Sequence, residues 1–265
     1  MSSQKIPCTV AILTRNSSES LPRALQSVKN FSEIIVCDGY STDETRVIAA
    51  QYGARIIDQD KRFLSSDGLI IDYSGVRNQT LVAASQPWFF FLDSDEYLSA
   101  ALAREIRLAV ASGIPAVYWV PRKYVYKGNI IDNSITYPNK QMRFFNAQLT
   151  SCFIKEVHER IEVLPSAEIK QFEEHLLVPI DCSVNDIKRK WSRYLEIESM
   201  RSPAITARRW ARGALHELAV SGLYVARFIR NLFRRGSRLP ARFELVRLWY
   251  QWKSITTSFS HVRSW

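Results

Sequence analysis

The sequence predicts an α/β protein: a mostly parallel sheet flanked by helices, followed by a basic helical extension. Three observations lead there. Short apolar runs of strand length alternate four times with helical periodicity between residues 7 and 110. Short crossovers of this kind force parallel strands with helices on both faces. The charge is also unevenly divided. The chain of 265 residues carries 36 Lys and Arg against 26 Asp and Glu, a net of +10. From Lys188 to Trp265 there are 17 basic and 4 acidic residues, so that stretch holds +13 and residues 1–187 hold −3.

The first strand is expected at Thr9–Leu13 (TVAIL), a buried parallel strand by its unbroken apolar run. SSESLPRALQSV follows as a helix, with Leu21, Ala24, Leu25 and Val28 on one side. Ile34–Cys37 is the second strand, stopped by Asp38-Gly39. Ser41 is expected to cap the next helix, with Glu44 completing a capping box and Asp43 in the first turn. Gly53 ends that helix, and Ala54–Ile57 is the third strand. Residues 77–84 read as helix, Trp88–Leu92 (WFFFL) as a very apolar fourth strand, and Leu98–Val110 as helix. Between Ala116 and Phe145 the pattern changes to aromatic-rich strands, VYWVPRKYVY and MRFF. A helix is expected over 185–201, with Ile187, Trp191, Tyr194 and Leu195 on one side and Pro203 breaking it.

The composition, 46% apolar and 12% aromatic, supports a packed core and excludes a disordered chain. The near-neutral front argues against a uniformly basic nucleic-acid-coating protein, so no nucleic-acid partner is expected. Cys8, Cys37, Cys152 and Cys182 form no C-x-x-C pair and read as small hydrophobes in a reducing compartment. MSSQKIPCTV lacks the long apolar stretch of a secretory leader, and no segment reaches the roughly 20 apolar residues that span a bilayer.

In open α/β sheets ligands bind beyond the carboxyl ends of the strands. Thr14 and Asn16, Asp38, and Asp93 with Asp95 are thereby pooled in one cleft. Asp93 and Asp95 sit at i and i+2 of an extended segment and point the same way. Such a pair can hold Mg²⁺ or Mn²⁺, leaving other positions to water or phosphate, which suits a nucleoside diphosphate. The competing reading is an acidic surface turn. Asp38 can accept from a nucleobase N–H, or simply belong to a turn. Arg77, at an expected helix start, can meet a diphosphate or be a solvated surface residue. His158 and Glu159 can supply a metal ligand and a general base. His175, His216 and His261 read as structural or solvated.

TVAILTRN, LPRALQSV, EIIVCDGYSTDET, GVRNQTL and WFFFLDSDEYLS together resemble the family 2 glycosyltransferases of GT-A fold. YPNKQMRFF, the VHER segment and DIKRKWSRYLEIES are similar to the lipopolysaccharide inner-core glucosyltransferase branch. The resemblance spans roughly residues 6–200. It implies a catalytic domain over 1–200, with a nucleotide-binding half at 1–110 and an acceptor half at 111–200. It implies an inverting transfer from a UDP-sugar to a hydroxyl of a lipid-linked or cell-surface glycan; a polyprenyl-phosphate glycosyltransferase, whose phosphate acceptor needs no base, and a non-catalytic basic membrane-binding protein are the alternatives. Thr14 and Asn16 would line the nucleotide pocket, and Asp38 would read the uracil edge. Arg77 would lie near the diphosphate or sugar. Asp93 and Asp95 would be the D-x-D pair, Asp95 the direct ligand of Mg²⁺ or Mn²⁺, and His158 would complete the metal or diphosphate site. Glu159 would be the catalytic base, with Glu96, Glu173 and Glu174 as rivals. The loop Lys61–Tyr73 departs from the short aromatic connection of that branch.

Residues 201–265 are expected to be a basic amphipathic tail. Leu215, Leu218, Val225, Ile229 and Leu232 recur at helical spacing, with Arg227, Arg230 and Arg234 on another face. Trp249, Tyr250 and Trp252 favour an interface. The expected partner is an anionic membrane surface, and the expected place the cytoplasmic, inner face of the cell membrane. A helical pair packed on the catalytic domain, with a solvated basic face, is the alternative.

Overall fold

The computed structural model describes residues 4–201 and 204–261, so Pro203 lies outside the described residues. In chain order the elements are β1 (Ile6–Thr14), α1 (Leu21–Val28), β2 (Phe31–Asp38), α2 (Thr45–Gln51), β3 (Arg55–Asp58), α3 (Tyr73–Ala83), β4 (Trp88–Asp93), β5 (Tyr97–Leu98), α4 (Ala100–Ala111), β6 (Val117–Tyr126), β7 (Asn129–Ile130), β8 (Lys140–Asn146), β9 (Thr150–Ile154), β10 (Arg160–Val163), β11 (Ile169–Gln171), β12 (Leu176–Pro179), α5 (Val184–Arg201), α6 (Ala207–Leu232) and α7 (Ala241–Phe259).

The expected α/β architecture is present. β1 pairs in parallel with β2 and with β4, and β2 with β3. β4 and β6 each pair antiparallel with β8. The sheet order is β3-β2-β1-β4-β8-β6-β12-β5, with β11 parallel beside β6. β9 and β10 form a separate hairpin. Both sheet faces are covered, which is why the strands read as unbroken apolar runs. Val10, Ile12, Phe90, Leu92 and Phe144 pack with α1 and α4, while Ala11, Phe89, Phe91 and Phe145 pack on the other side with Phe153.

Helix boundaries show where local chemistry differs from the sequence pattern. α1 buries the four residues expected, Leu21, Ala24, Leu25 and Val28. The capping box at α2 is not formed. Glu44 is the N-cap and makes no side-chain cap bond. Asp43 instead accepts from the Thr45 amide at 3.0 Å, and Ser41 is drawn to Asp38. Gly53, at φ +71°, ends α2 in the left-handed conformation that glycine adopts without strain. α3 begins at Tyr73, earlier than expected, because Asp72 accepts from the Gly75 amide at 2.8 Å. A Cβ at Gly75 would stand 2.4 Å from the Phe63 ring, so only glycine lets that ring approach.

The chain forms two compact units. The first takes in the chain up to Lys123 together with Pro138–Pro179, and the second Tyr124–Tyr137 together with the chain from Ile180. In the second unit α7 packs against both α5 and α6. Trp191 meets Tyr250 edge-on at 5.2 Å, with Arg247 over the Trp191 ring at 4.3 Å. Trp210 donates to the Ile255 carbonyl at 3.2 Å. Of the aromatic residues expected at an interface, Tyr250 is thus spent on packing, whereas Trp252 is 64% exposed. Arg227 also departs from the expected basic face: it turns inward and donates to the Ile135 carbonyl at 3.1 Å. Among the described residues no helix is long and apolar enough to cross a membrane.

Cys8 and Cys37 are buried, Cys152 is partly buried and Cys182 is exposed. Burial pushes the Cys37 thiol up to about 12, as expected of a packing residue.

Candidate active site

The parallel register aligns the strand ends of the first unit. Thr14 of β1 lies opposite Asp38 of β2, Asp38 opposite Asp58 of β3, and Leu13 opposite Asp93 of β4. The polar residues after the strands therefore share one edge of the sheet.

Asp38 is fully buried and its carboxylate is saturated. Oδ1 accepts from Thr14 Oγ1 at 2.9 Å and Ser41 Oγ at 2.5 Å. Oδ2 accepts from the Ser41 amide at 2.9 Å and Arg46 Nη1 at 3.2 Å. Asn16 takes a left-handed conformation, φ 47°, and its Oδ1 accepts from the Thr42 amide at 2.8 Å. Thr14, Asn16 and Asp38 are brought together, Asn16 and Asp38 bonded directly to the 41–42 loop and Thr14 joined to it through Asp38. The loop Lys61–Tyr73 reaches the same edge, where its Asp67 carbonyl accepts from Arg15 Nη2 at 2.7 Å.

Arg77 is neither at a helix start nor solvated. It sits in the second turn of α3, 2% exposed. Its Nη2 donates to Asp93 Oδ1 at 2.6 Å, and its Nε lies 3.5 Å from Glu159 Oε1. Arg143 of β8 completes the arrangement. It is 3% exposed and donates through Nη2 to Asp93 Oδ2 at 2.9 Å and through Nη1 to Glu96 Oε2 at 2.5 Å. Arg122 of β6 donates to the other oxygen of Glu96. The result is an alternating row, Arg122–Glu96–Arg143–Asp93–Arg77–Glu159. The Arg77 and Arg143 guanidiniums stand over one ring, Phe91, at 4.7 and 4.9 Å from its centroid. Burial would raise the Asp93 carboxyl, but Arg143, Arg77 and Arg122 together hold it well below the ordinary carboxylate range. Arg77 Nη1 is a buried donor with no partner.

Asp93–Glu96 is a turn closed by the Glu96 amide donating to the Asp93 carbonyl at 3.0 Å. Asp93 and Glu96 turn toward the arginines, and Asp95 between them is exposed. The expected common aim of Asp93 and Asp95 assumed an extended segment, and the turn removes that premise. Among the described residues no three His, Cys, Asp or Glu side chains gather as a metal site. Asp93, Asp95 and His158 are therefore not one ligand set here. Asp95 is the exposed residue of the turn, and its carboxylate fits a Mg²⁺ or Mn²⁺ held mainly by phosphate and water.

His158 and Glu159 lie in the β9–β10 connection. His158 is exposed, at φ 55°. Their segment is tied to α3 twice. The Tyr73 amide donates to the Glu156 carbonyl at 2.8 Å. The Asn78 amide group pairs with both backbone groups of Phe153, at 2.9 and 2.6 Å. These ties set Glu159 against Arg77. Of the rival bases, Glu96 is buried with both oxygens bound, and the Glu174 amide donates to Glu105 on α4 at 3.1 Å.

Arg143 and Arg122 were not singled out in the sequence. The available signal was a charge inside the aromatic runs MRFF and VYWVPRKYVY, since a buried charge requires a partner.

The sequence model of "Glycosyl transferase family 2" matches residues 9–154, more than half of the chain. An uncharacterized glycosyltransferase of Rickettsia bellii (strain RML369-C) is 32% identical over 147 residues, covering 53% of this chain and 46% of that protein. The lipopolysaccharide core biosynthesis glycosyltransferase LpsC of Rhizobium meliloti (strain 1021) is 30% identical over 117 residues, 43% of this chain and 41% of that protein. The chain thus spans less than half the length of these curated relatives. Among solved structures, S. aureus TarS 1-349 in complex with UDP-GlcNAc aligns over 96% of this chain and 91% of that one, with 13% identity and a TM-score of 0.48.

Proposed function

Because the chain belongs to glycosyl transferase family 2, we propose that it moves a sugar from a UDP-sugar to a hydroxyl of a lipid-linked or cell-surface glycan, with inversion at the anomeric carbon. The carrying observation is the row in which Glu159 and Asp93 flank the buried Arg77, beside the exposed Asp95. Asp95 would hold the divalent cation, whose charge offsets that of the departing diphosphate. Arg77, with its unpartnered Nη1, supplies positive charge on the same side. Glu159 takes the proton of the acceptor hydroxyl. Thr14 and Asn16 shape the nucleotide pocket. Asp38 reads the base edge when the half-exposed Arg46 yields its place on Oδ2. His158 borders the diphosphate.

The LpsC relative supports an acceptor of the lipopolysaccharide-core class. Such an acceptor is met at a membrane. On α6, Leu215, Leu218, Val225, Ile229 and Leu232 are exposed beside Arg212 and Arg230, a face suited to the anionic inner surface of the cell membrane. On this reading residues 1–200 are the catalytic domain and 201–265 the membrane-associated tail.

A panel of UDP-sugars, scored for thermal stabilisation and transfer with and without Mn²⁺, tests the reading. One UDP-sugar should stabilise the protein more strongly with Mn²⁺ than without it. Equal response to every nucleotide, with no Mn²⁺ dependence, would reject it.

A further inference from the structure

We propose that Arg143 is a positioning residue: a buried clamp that fastens both ends of the Asp93–Glu96 turn and so fixes Asp95. The proposal rests on the transferase reading only for what Asp95 grips. The clamp itself stands on geometry.

A four-residue turn with a single backbone hydrogen bond opens easily at a sheet edge, because its peptide groups can bond to water instead. Here one side chain spans it. Arg143 reaches Asp93 Oδ2 with Nη2 and Glu96 Oε2 with Nη1, at 2.9 and 2.5 Å, bridging the first and last residues of the turn. A planar guanidinium holds two carboxylates in a fixed mutual orientation, which a single flexible ammonium does not. The clamp is itself fixed from two further directions. Gln141 Oε1 accepts from Arg143 Nε at 2.7 Å. The Phe91 ring lies under the guanidinium. β8 slips register against β6 at Arg143, between the Tyr118–Phe144 and Trp119–Met142 pairs, and a bulge of this kind re-aims the side chain it carries. Arg122 holds Glu96 from the far side and Arg77 holds Asp93. Asp95, between the two anchored carboxylates, is the residue of the turn left exposed. Its carboxylate is therefore presented from a rigid base. That matters for a site with few protein ligands, where a divalent ion bound to a diphosphate depends on where one carboxylate stands.

The test compares Arg143→Gln and Arg143→Lys with the wild-type chain by two independent readouts. The first is hydrogen exchange of the Glu96 amide, which needs no ligand. Arg143→Gln should raise its exchange at least tenfold while β1 and β2 amides keep theirs, and Arg143→Lys should lie between. The second is UDP binding titrated with and without Mn²⁺. The clamp predicts that Arg143→Gln loses about tenfold or more in the Mn²⁺-dependent part and under threefold in the metal-free part. Unchanged Glu96 exchange, or an equal loss with and without Mn²⁺, would overturn the proposal. Should wild type show no Mn²⁺-dependent UDP binding, the transferase reading fails while the exchange result still decides the clamp. If Arg143→Gln does not fold, Gln141→Leu, which releases only the Nε contact, should produce a smaller shift of the same kind, and no shift overturns the proposal.

Discussion

Arg77 Nη2 and Asp93 Oδ1 lie 2.6 Å apart, with the arginine 2% exposed and the aspartate side chain 38% exposed. The pair joins helix α3 to the end of the central strand β4. Removing a partner from a fully buried pair costs about 3–5 kcal/mol. Partial solvation of Asp93 lowers that here. Arg77→Gln should destabilise the first unit by about 2 kcal/mol in urea unfolding.

Asp95 behaves differently because it is exposed. Asp95→Asn should leave unfolding within about 0.5 kcal/mol of wild type. Isothermal titration of UDP should nonetheless lose its Mn²⁺ enhancement. Retained enhancement would remove Asp95 from the metal site.

Glu159→Gln and Glu96→Gln separate the base from its rival. Glu159→Gln should bind UDP with Mn²⁺ as wild type does, while the transfer rate falls about 100- to 10,000-fold. Glu96→Gln should chiefly lose stability, because it disrupts a carboxylate shared by Arg143 and Arg122. Wild-type transfer by Glu159→Gln would exclude the assignment.

The stability of the first unit should fall in acid. The Asp93 carboxyl is held below its unfolded value, so its contribution is fully present above about pH 4 and is lost as pH falls toward the folded value. In the second unit Glu244 has the opposite sign: burial raises it, outweighing its bonds from Ser134 and Ile135. Its contribution declines as pH rises through the unfolded value toward the folded one. Asp93→Asn should flatten the acid limb, and Glu244→Gln should stabilise the chain at pH 7, both read by denaturant midpoints.

Ile229 and Phe233, 52% and 85% exposed, can be changed without disturbing a core. The double change to Glu should leave the melting temperature in place and abolish flotation with anionic phosphatidylserine vesicles at about 0.15 M salt. Undiminished flotation would assign the face no membrane role.

Much of the fold was legible because both sheet faces are covered: TVAIL, IIVC and WFFFL have no alternation to misread, and Leu21, Ala24, Leu25 and Val28 mark a helix plainly. The strand-end row followed from crossover topology alone. Pairings between distant segments were hidden. Nothing in DGYSTDET says that Ser41 prefers Asp38 to a helix cap. Nothing local says that Arg77 folds inward, since its partners Asp93 and Glu159 are 16 and 82 residues away. Arg143 went unnoticed because single charges in aromatic strands also occur at edges, and only the register places β8 between β4 and β6.

The alternating row of arginines and carboxylates has a consequence for how variation in this chain is to be interpreted. Each inner charge in it borrows its tolerance of burial from two neighbours and each end charge from one, so the six side chains are epistatic as a block. A single-residue scan would charge the same free energy to several positions, and its total would exceed what removing the whole row costs. Drift from one member to another is then blocked one step at a time and open only to concerted exchanges, such as an arginine and a carboxylate leaving together for a matched apolar pair.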